Sequence, residues 1–231
     1  GRIIGGHEVK PHSRPYMAYL SIRSESGGAK PKTSHCGGFL VRPYAVLSAA
    51  HCVPGETVTL GAHNVAKKEP GQQVRHVDHW VIHPNYSHWG HRNDILLLKL
   101  KPEVNLTKEV ETIPLARQND FVKPGATCQV AGWGCTSQNG RWSSVLREVD
   151  LKVQSEKVCE ETFPRYLQQS MLCAGDRSSK KSTFYGDSGG PLVCKGKVHG
   201  IVSHGPKKAL FPEVHTRVAW FEPWIRKELR K

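Results

Sequence analysis

Short β-forming stretches, separated by glycine, proline and polar turn residues, recur along almost the whole chain and constrain its fold more than any other feature. They include residues 16–22, 38–41, 58–60, 74–82, 95–100, 128–131, 146–153, 191–194 and 198–203. Strands at this spacing are typical of an all-β sandwich or barrel. At the end of the chain, apolar residues recur at helical spacing and Pro223 suits a first turn. The pattern predicts an all-β fold followed by a C-terminal helix at about residues 221–230.

The composition fits a globular protein of the secretory route. No apolar run approaches the roughly 18 residues that a membrane span needs, and no signal peptide precedes Gly1, so we expect that a leader has been removed. The formal charge of +13 favours a polyanionic partner: nucleic acid, an anionic membrane surface or a sulfated glycan. Seven cysteines indicate an oxidising compartment and leave at least one thiol unpaired within the chain. Sequons at Asn85 and Asn105 predict glycosylation.

The sequence Gly-Asp-Ser-Gly-Gly-Pro at residues 186–191 is the strongest chemical signal. A serine between glycines can occupy a tight turn, where the N–H groups of Gly186 and Ser188 could bind an oxyanion. A serine hydroxyl also needs a base in order to act as a nucleophile. The best candidate base is His51, beside a cysteine that could lock its turn. The best orienting carboxylate is Asp94, at the head of an apolar strand.

The same glycines also fit the Gly-x-Ser-x-Gly elbow of α/β-hydrolases, and chain order separates the two interpretations. An elbow enzyme requires serine, then an acid, then histidine. No aspartate follows Ser188, and Glu213 is too close to His215 for a relay between separate loops. The order His51, Asp94, Ser188 is the other arrangement.

With these residues in place, the chain resembles the chymotrypsin-fold serine peptidases, and most of all their granzyme, mast-cell chymase and cathepsin G branch. The resemblance extends from Ile3 to the C-terminal helix. It rests on Ile3-Ile4-Gly5-Gly6, Ala49-Ala50-His51-Cys52, Asp94-Ile95-Leu96-Leu97, Gly132-Trp133-Gly134 and the hexapeptide at 186–191. It implies a peptidase domain at 3–231 with two six-stranded antiparallel β-barrels, at about residues 17–110 and 120–218, and a catalytic triad between them.

The resemblance also assigns roles to individual residues. Ser188 attacks the substrate, His51 shuttles the proton and Asp94 fixes its tautomer. The implied disulfides are Cys36–Cys52, Cys128–Cys194 and Cys159–Cys173. Cys135 is left over near the rim of the cleft, either as an inert, partly buried thiol or as one that can be oxidised or cross-linked.

The specificity pocket is expected, by resemblance, to have Ser182 at its base and Tyr185 at its mouth. Gly205 should leave one wall open to a large ring, and residues Ser203–Gly205 should pair with the substrate backbone. His204 departs from the Trp or Tyr that is usual in the family. An uncharged pocket base favours cleavage after Phe, Tyr or Leu.

Glu213 maps to the opposite wall of this pocket. It either reaches into the pocket and admits Lys or Arg, as in cathepsin G-like members, or points aside to solvent or a surface cation. The sequence leaves both interpretations open.

The N-terminal dipeptide is typical of a zymogen. In the family, the active enzyme begins at the residue corresponding to Ile3, whose new α-ammonium pairs with the carboxylate beside the nucleophile, here Asp187. Gly1 and Arg2 would block that amine. Arg2 replaces the usual Glu of granule relatives and would allow a trypsin-like enzyme to cut before Ile3. Alternatively, the dipeptide is a remnant of protein production.

The resemblance implies protein substrates, serpin-type inhibitors, no cofactor, and a location in secretory granules or outside the cell. Granule relatives are stored on heparin or chondroitin sulfate proteoglycan, so we expect the same partner for the basic surface. The chain has 13 histidines, and an unperturbed histidine has a pKa of about 6.5. Because they gain positive charge in an acidic granule, this binding should tighten there. The basic pairs are Lys67-Lys68, Lys180-Lys181 and Lys207-Lys208, together with the cations of the C-terminal helix.

Two other classes of function compete with a peptidase. A cationic heparin-binding or antimicrobial homologue would typically have lost the triad, which this chain keeps. A nucleic-acid-binding role has only charge in its favour. A histidine cluster could suggest zinc, but the family already uses that strand and loop, so we expect no metal. The cluster consists of His76, His79, His83, His88 and His91.

Overall fold

A computed structural model describes residues 3–24, 32–53, 57–137, 140–207 and 209–231. Gly1 and Arg2 of the predicted activation dipeptide, and Lys208 of a predicted basic pair, lie outside these described residues. The strands are β1 (His7–Glu8), β2 (Met17–Ser24), β3 (Lys32–Arg42), β4 (Ala45–Ser48), β5 (Thr57–Leu60), β6 (Gln73–Ile82), β7 (Leu96–Leu100), β8 (Thr127–Gly132), β9 (Arg147–Val153), β10 (Met171–Gly175), β11 (Pro191–Cys194), β12 (Lys197–His204) and β13 (Glu213–Arg217). The helices are α1 (Glu156–Thr162) and α2 (Val218–Leu229), and short 3-10 turns occur at Ala50–Cys52 and Trp89–His91.

The first barrel is a closed ring of antiparallel strands in the order β2-β3-β4-β7-β6-β5. Side chains alternate along each strand, so every second residue can face the interior. Phe39, Leu47 and Leu97 are direct partners across β3, β4 and β7, and all three are fully buried. This packing fixes the end of β4 and the start of β7. One predicted catalytic residue follows β4, and another precedes β7.

The second barrel is the ring β8-β9-β10-β13-β12-β11, which closes because β9 pairs with both β8 and β10. Strand β1 adds to the side of β9, and Cys128–Cys194 joins β8 to β11. Its core contains Val130, Leu151 and Leu192 and also buries Ile3 from the N-terminal segment. The prediction of two six-stranded antiparallel barrels is therefore confirmed.

Helix α2 begins at Val218, directly after β13, and not near residue 221 as the sequence suggested. Pro223 lies inside the helix and not in its first turn, so proline was a misleading marker of the start. Val218, Phe221 and Ile225 belong to a buried cluster that also holds side chains of both barrels, so the helix packs against both halves. Neither of the two described α-helices has the length and apolar character to cross a bilayer.

Candidate active site

The predicted triad residues lie where the two barrels meet. His51 occupies the 3-10 turn after β4, Asp94 lies two residues before β7, and Ser188 lies in the turn before β11. The Cys36–Cys52 disulfide ties the histidine turn to β3. On the same strand, the N–H of Gly37 donates to the carbonyl of Ser188 at 2.8 Å, which links the first barrel to the serine turn of the second.

His51 and Asp94 form a tightly bonded pair. His51 Nδ1 lies 2.7 Å from Asp94 Oδ2, and the His51 backbone N–H donates to Asp94 Oδ1 at 3.0 Å. Ser203 Oγ donates to Asp94 Oδ2 at 2.7 Å, so the buried carboxylate accepts three hydrogen bonds. These bonds hold the imidazole in one orientation and leave Nε2 on the far side of the ring from the carboxylate.

The pKa values of Asp94 and His51 are shifted in opposite directions. Burial by itself raises the pKa of Asp94, but the hydrogen bonds and charge of His51 and the bond from Ser203 outweigh burial, and the net pKa is lowered. Burial by itself lowers the pKa of His51, but the hydrogen bond and the charge of Asp94 outweigh it, and the net pKa is raised. The site therefore combines an ionised carboxylate with a more basic imidazole.

The serine turn presents unused donors. Gly186 and Gly189 have φ values of +90° and +85°, which side chains with a Cβ rarely adopt. A Cβ on Gly189 would lie 2.1 Å from Ser48 Oγ, so the turn has no room for a larger residue. The backbone N–H groups of Gly186 and Ser188 donate to no acceptor within the described ranges. Ser188 Oγ likewise makes no hydrogen bond to His51 in the part of the chain that the structure describes.

Glu213 reaches the base of the predicted specificity pocket. Its carboxyl group accepts hydrogen bonds from Ser182 Oγ, from the Thr183 N–H at 2.7 Å and from Thr183 Oγ1 at 2.7 Å. All three residues are buried. Burial raises the pKa of Glu213 to about 8, because the hydrogen bonds offset only part of the cost of removing its charge from water. Of the two interpretations of Glu213, this placement favours the one inside the pocket.

The remaining residues predicted for the pocket differ in their exposure and contacts. Tyr185 is 72% exposed, and its ring contacts that of Phe184 at 4.7 Å. A Cβ on Gly205 would meet no atom within 4 Å, so that wall has free space. His204 Nδ1 lies 2.9 Å from Ser203 Oγ, and burial lowers its pKa to about 4. Sequence reasoning missed Thr183, although its position next to Ser182 was a signal.

Asp187 is fully buried beside the serine turn. Its Oδ1 accepts from the Gly134 N–H and its Oδ2 from the Phe184 N–H, both at 2.9 Å. Burial raises its pKa to about 7 in spite of these bonds. Ile3 is fully buried as well, and the neighbouring Ile4 carbonyl accepts from the Ser182 N–H at 3.0 Å. The N-terminal segment therefore lies against the second barrel next to the pocket base.

Three disulfides join the cysteine pairs that the resemblance implied. Cys135 is free and 2% exposed, and its backbone N–H donates to the Tyr185 carbonyl at 2.7 Å. Burial, followed by the charge of Asp187, raises the pKa of its thiol. Both effects disfavour the reactive thiolate, so this environment favours an inert thiol.

The sequence-predicted histidine cluster does not come together as one group. Among the described residues, the group of three ligand-type side chains that contains a member of this cluster consists of His91, His51 and Asp94. Asn85 and Asn105 are both exposed, as glycan acceptors must be.

Comparison with known proteins agrees with this geometry. A family model described as Trypsin matches residues 3–225. Granzyme B(G,H) of Mus musculus is 48% identical over 232 residues, covering 100% of this chain and 92% of its own length. Cathepsin G of Homo sapiens is 47% identical over 231 residues, covering 100% of this chain and 88% of its own length. A solved structure described as "Structure of GrC" has a TM-score of 0.93 at 46% identity, covering 99% of this chain and 100% of that one.

The chain belongs to the trypsin family of chymotrypsin-fold peptidases. It is a serine endopeptidase with protein substrates, and its relatives include granzymes and cathepsin G.

Proposed function

We propose that this enzyme hydrolyses peptide bonds through an acyl-enzyme formed on Ser188. His51 takes the serine proton and returns it to the leaving amine, while Asp94 holds the imidazole tautomer. The N–H groups of Gly186 and Ser188 stabilise the oxyanion. The observation that carries this proposal is the bonded His51–Asp94 pair at 2.7 Å, next to a serine turn whose two N–H donors are unused by the described residues.

The pocket supports cleavage after Phe, Tyr or Leu, with secondary acceptance of Lys or Arg. Ser182 offers no fixed charge at the base, and the free space beside Gly205 suits a large ring. Glu213 supplies a negative charge to a bound cation only when it is ionised. Because its pKa is about 8, Glu213 is mostly protonated at neutral pH, and it must lose this proton when a Lys or Arg side chain binds.

Activation proceeds by cleavage before Ile3, which frees the α-amine of that residue. Asp187 is a fully buried carboxyl group whose pKa is raised to about 7, and a buried carboxylate of this kind gains from a cationic partner. Removal of Gly1 and Arg2 creates an α-ammonium on Ile3, whose side chain already lies in the second core. The new ion pair fixes the turn that presents Gly186.

The basic surface supports binding to sulfated glycosaminoglycan, and with it granule storage or secretion and control by serpin-type inhibitors. Lys67, Lys68, Lys180 and Lys181 are all exposed. Burial lowers the pKa of several histidines, so the acid-dependent gain in charge is smaller than the full set would give. These histidines are His35, His83, His91, His199, His204 and His215.

A cationic heparin-binding or antimicrobial role with secondary protease activity is the alternative, and it rests on the same charge of +13. Labelling by a fluorophosphonate, before and after removal of Gly1 and Arg2, separates the two. We expect labelling after removal in the parent protein and none in Ser188→Ala. Absence of labelling in the processed parent protein would favour the non-enzymatic role.

A further inference from the structure

Three potential metal ligands meet beside the predicted catalytic base. His51, His91 and Asp94 each offer one ligand atom, and these atoms lie within 4.8 Å of one another. Two imidazoles and one carboxylate resemble the His₂Glu donor set of catalytic zinc sites, which leaves a fourth position for water. Imidazole ligands favour a transition metal such as Zn²⁺ over Mg²⁺ or Ca²⁺, which prefer oxygen ligands.

The position of His91 is fixed by its loop and by a neighbouring ring. It lies at the end of the 3-10 turn with φ of +50°, next to the Ser87–Arg92 bridge, so the loop fixes its backbone. Its ring stacks on His204, with centroids 4.5 Å apart and an interplanar angle of 21°. Its Nδ1 is buried and has no hydrogen-bond partner among the described residues. A buried polar atom without a partner is uncommon, and this one belongs to a side chain of the three-residue donor cluster.

We propose that a zinc ion binds between His51, His91 and Asp94 and inhibits the peptidase. This inference rests on the proposed function, because the inhibited site is the same one. An ion that Asp94 also holds must take Nδ1 of His51, because Nε2 lies on the far side of the ring from this carboxylate. Zinc then replaces the Nδ1 proton, which is released to solvent, and with it the hydrogen bond to Asp94 that fixes the tautomer needed for catalysis. The metal enters and leaves as an ion, and no covalent bond to carbon forms or breaks.

The geometry requires only a small adjustment. Zinc binds imidazole nitrogen at about 2.0–2.1 Å, so two tetrahedral ligands lie about 3.3 Å apart. The rings of His51 and His91 are 5.9 Å apart by centroid at an angle of 77°, so their edges can turn toward a common ion. The ligand atoms lie within 4.8 Å of one another, so side-chain rotation has to shorten the widest separation by at most about 1.5 Å.

Inhibition of the processed enzyme tests the site against a matched control. ZnCl₂ is titrated into the parent protein and into the variants His91→Phe and His79→Phe, and hydrolysis of a peptide substrate that is cleaved after Phe is measured. Phenylalanine keeps a flat ring on His204 and removes the ligand, and His79 is an exposed histidine on β6, paired with Asp78. We expect parent and His79→Phe to be inhibited alike and restored by EDTA, and His91→Phe to need at least about tenfold more zinc. Equal inhibition of all three would overturn the proposal.

A binding measurement keeps this inference separate from the proposed function. Calorimetry with ZnCl₂ on Ser188→Ala needs no catalytic activity, and we expect one equivalent to bind. The double variant Ser188→Ala/His91→Phe should lose that equivalent. If both bind zinc alike, the metal site is wrong even where the enzyme is active. If fluorophosphonate labelling fails while zinc binding depends on His91, the proposed function is wrong and the metal site stands.

Discussion

Asp94 and Glu213 are both buried carboxyl groups, and each accepts three hydrogen bonds from the described residues. The pKa of Asp94 is lowered, whereas that of Glu213 is raised to about 8. Asp94 faces an imidazole that can become positively charged, while Glu213 faces two hydroxyls and one backbone N–H. Hydrogen bonds from neutral donors therefore do not replace a charged partner when a carboxyl group is buried. Asp94 therefore stays ionised, whereas Glu213 is mostly protonated near neutral pH until a cation binds beside it.

The largest expected effect comes from removing the charge of Asp94. We predict that Asp94→Asn lowers kcat by about 10⁴-fold, the loss expected when a Ser-His-Asp triad holds its histidine in the wrong tautomer. Steady-state kinetics of the processed enzyme measure it, with Asp150→Asn, an exposed carboxylate on β9, as the control. A loss of less than tenfold in Asp94→Asn would show that the paired carboxylate is dispensable and would break the comparison.

Asp187 sharpens the comparison, since the proposed processing would give this buried carboxyl group an α-ammonium as its charged partner. We predict that removal of Gly1 and Arg2 raises kcat/KM by about 100-fold or more in the parent protein, as expected for assembly of an oxyanion donor. Asp187→Asn should abolish this gain, because an amide cannot pair with an α-ammonium. Mass spectrometry of the N-terminus confirms the processing. Full activity with Gly1 still attached, or an equal gain in the variant, contradicts the activation mechanism.

Sequence reasoning is most informative where the chemistry of a site resides in short local motifs. Ser188 in its glycine-rich turn, and His51 beside Cys52, could be singled out without knowledge of their neighbours. The short strands predicted an all-β sandwich or barrel, and the family resemblance implied the two six-stranded barrels. Glu213 was different, because its position 31 residues from Ser182 gave no sign of which way its side chain points. The pairing of β13 in the second barrel decides that question, and the loop between β6 and β7 brings His91 next to His51 on the first barrel.

Local signals also failed at the ends of elements. Pro223 suggested the start of a helix that in fact begins at Val218, because packing of Val218 and Phe221 in the cluster shared by both barrels outweighs the preference of proline for a first turn. Helix α1 was missed, although Ser155 caps it by accepting from the Val158 N–H and Glu156 lies in its first turn. Seven residues gave too short a pattern to stand out between strands.

Primary specificity offers a smaller test of the protonation of Glu213. With a pKa of about 8, the ionised fraction of Glu213 rises about tenfold between pH 7 and pH 9. We predict that the ratio of kcat/KM for Lys over Phe substrates rises by about the same factor in the parent enzyme. The Phe substrate normalises for titration of His51. In Glu213→Gln the ratio should be low and independent of pH, and a parallel rise in that variant would assign the effect to another group.

The smallest expected effect is on stability, and its sign follows from the same pKa. Glu213 has a pKa of about 8 in the folded protein and 4.5 as its ordinary value, so the folded state binds the proton more tightly. Its contribution to stability is therefore fully present below pH 4.5 and is lost as the pH rises through 8. Between pH 7 and pH 9 the loss is about 1 kcal/mol, or a few degrees in Tm for a chain of this size. Glu213→Gln keeps an uncharged side chain at every pH. Calorimetric scans at pH 5, 7 and 9 should show the Tm of the parent falling relative to the variant from pH 5 to pH 7 and falling further, by a smaller amount, toward pH 9. Parallel curves would mean that Glu213 is already ionised at neutral pH, and its contrast with Asp94 would disappear.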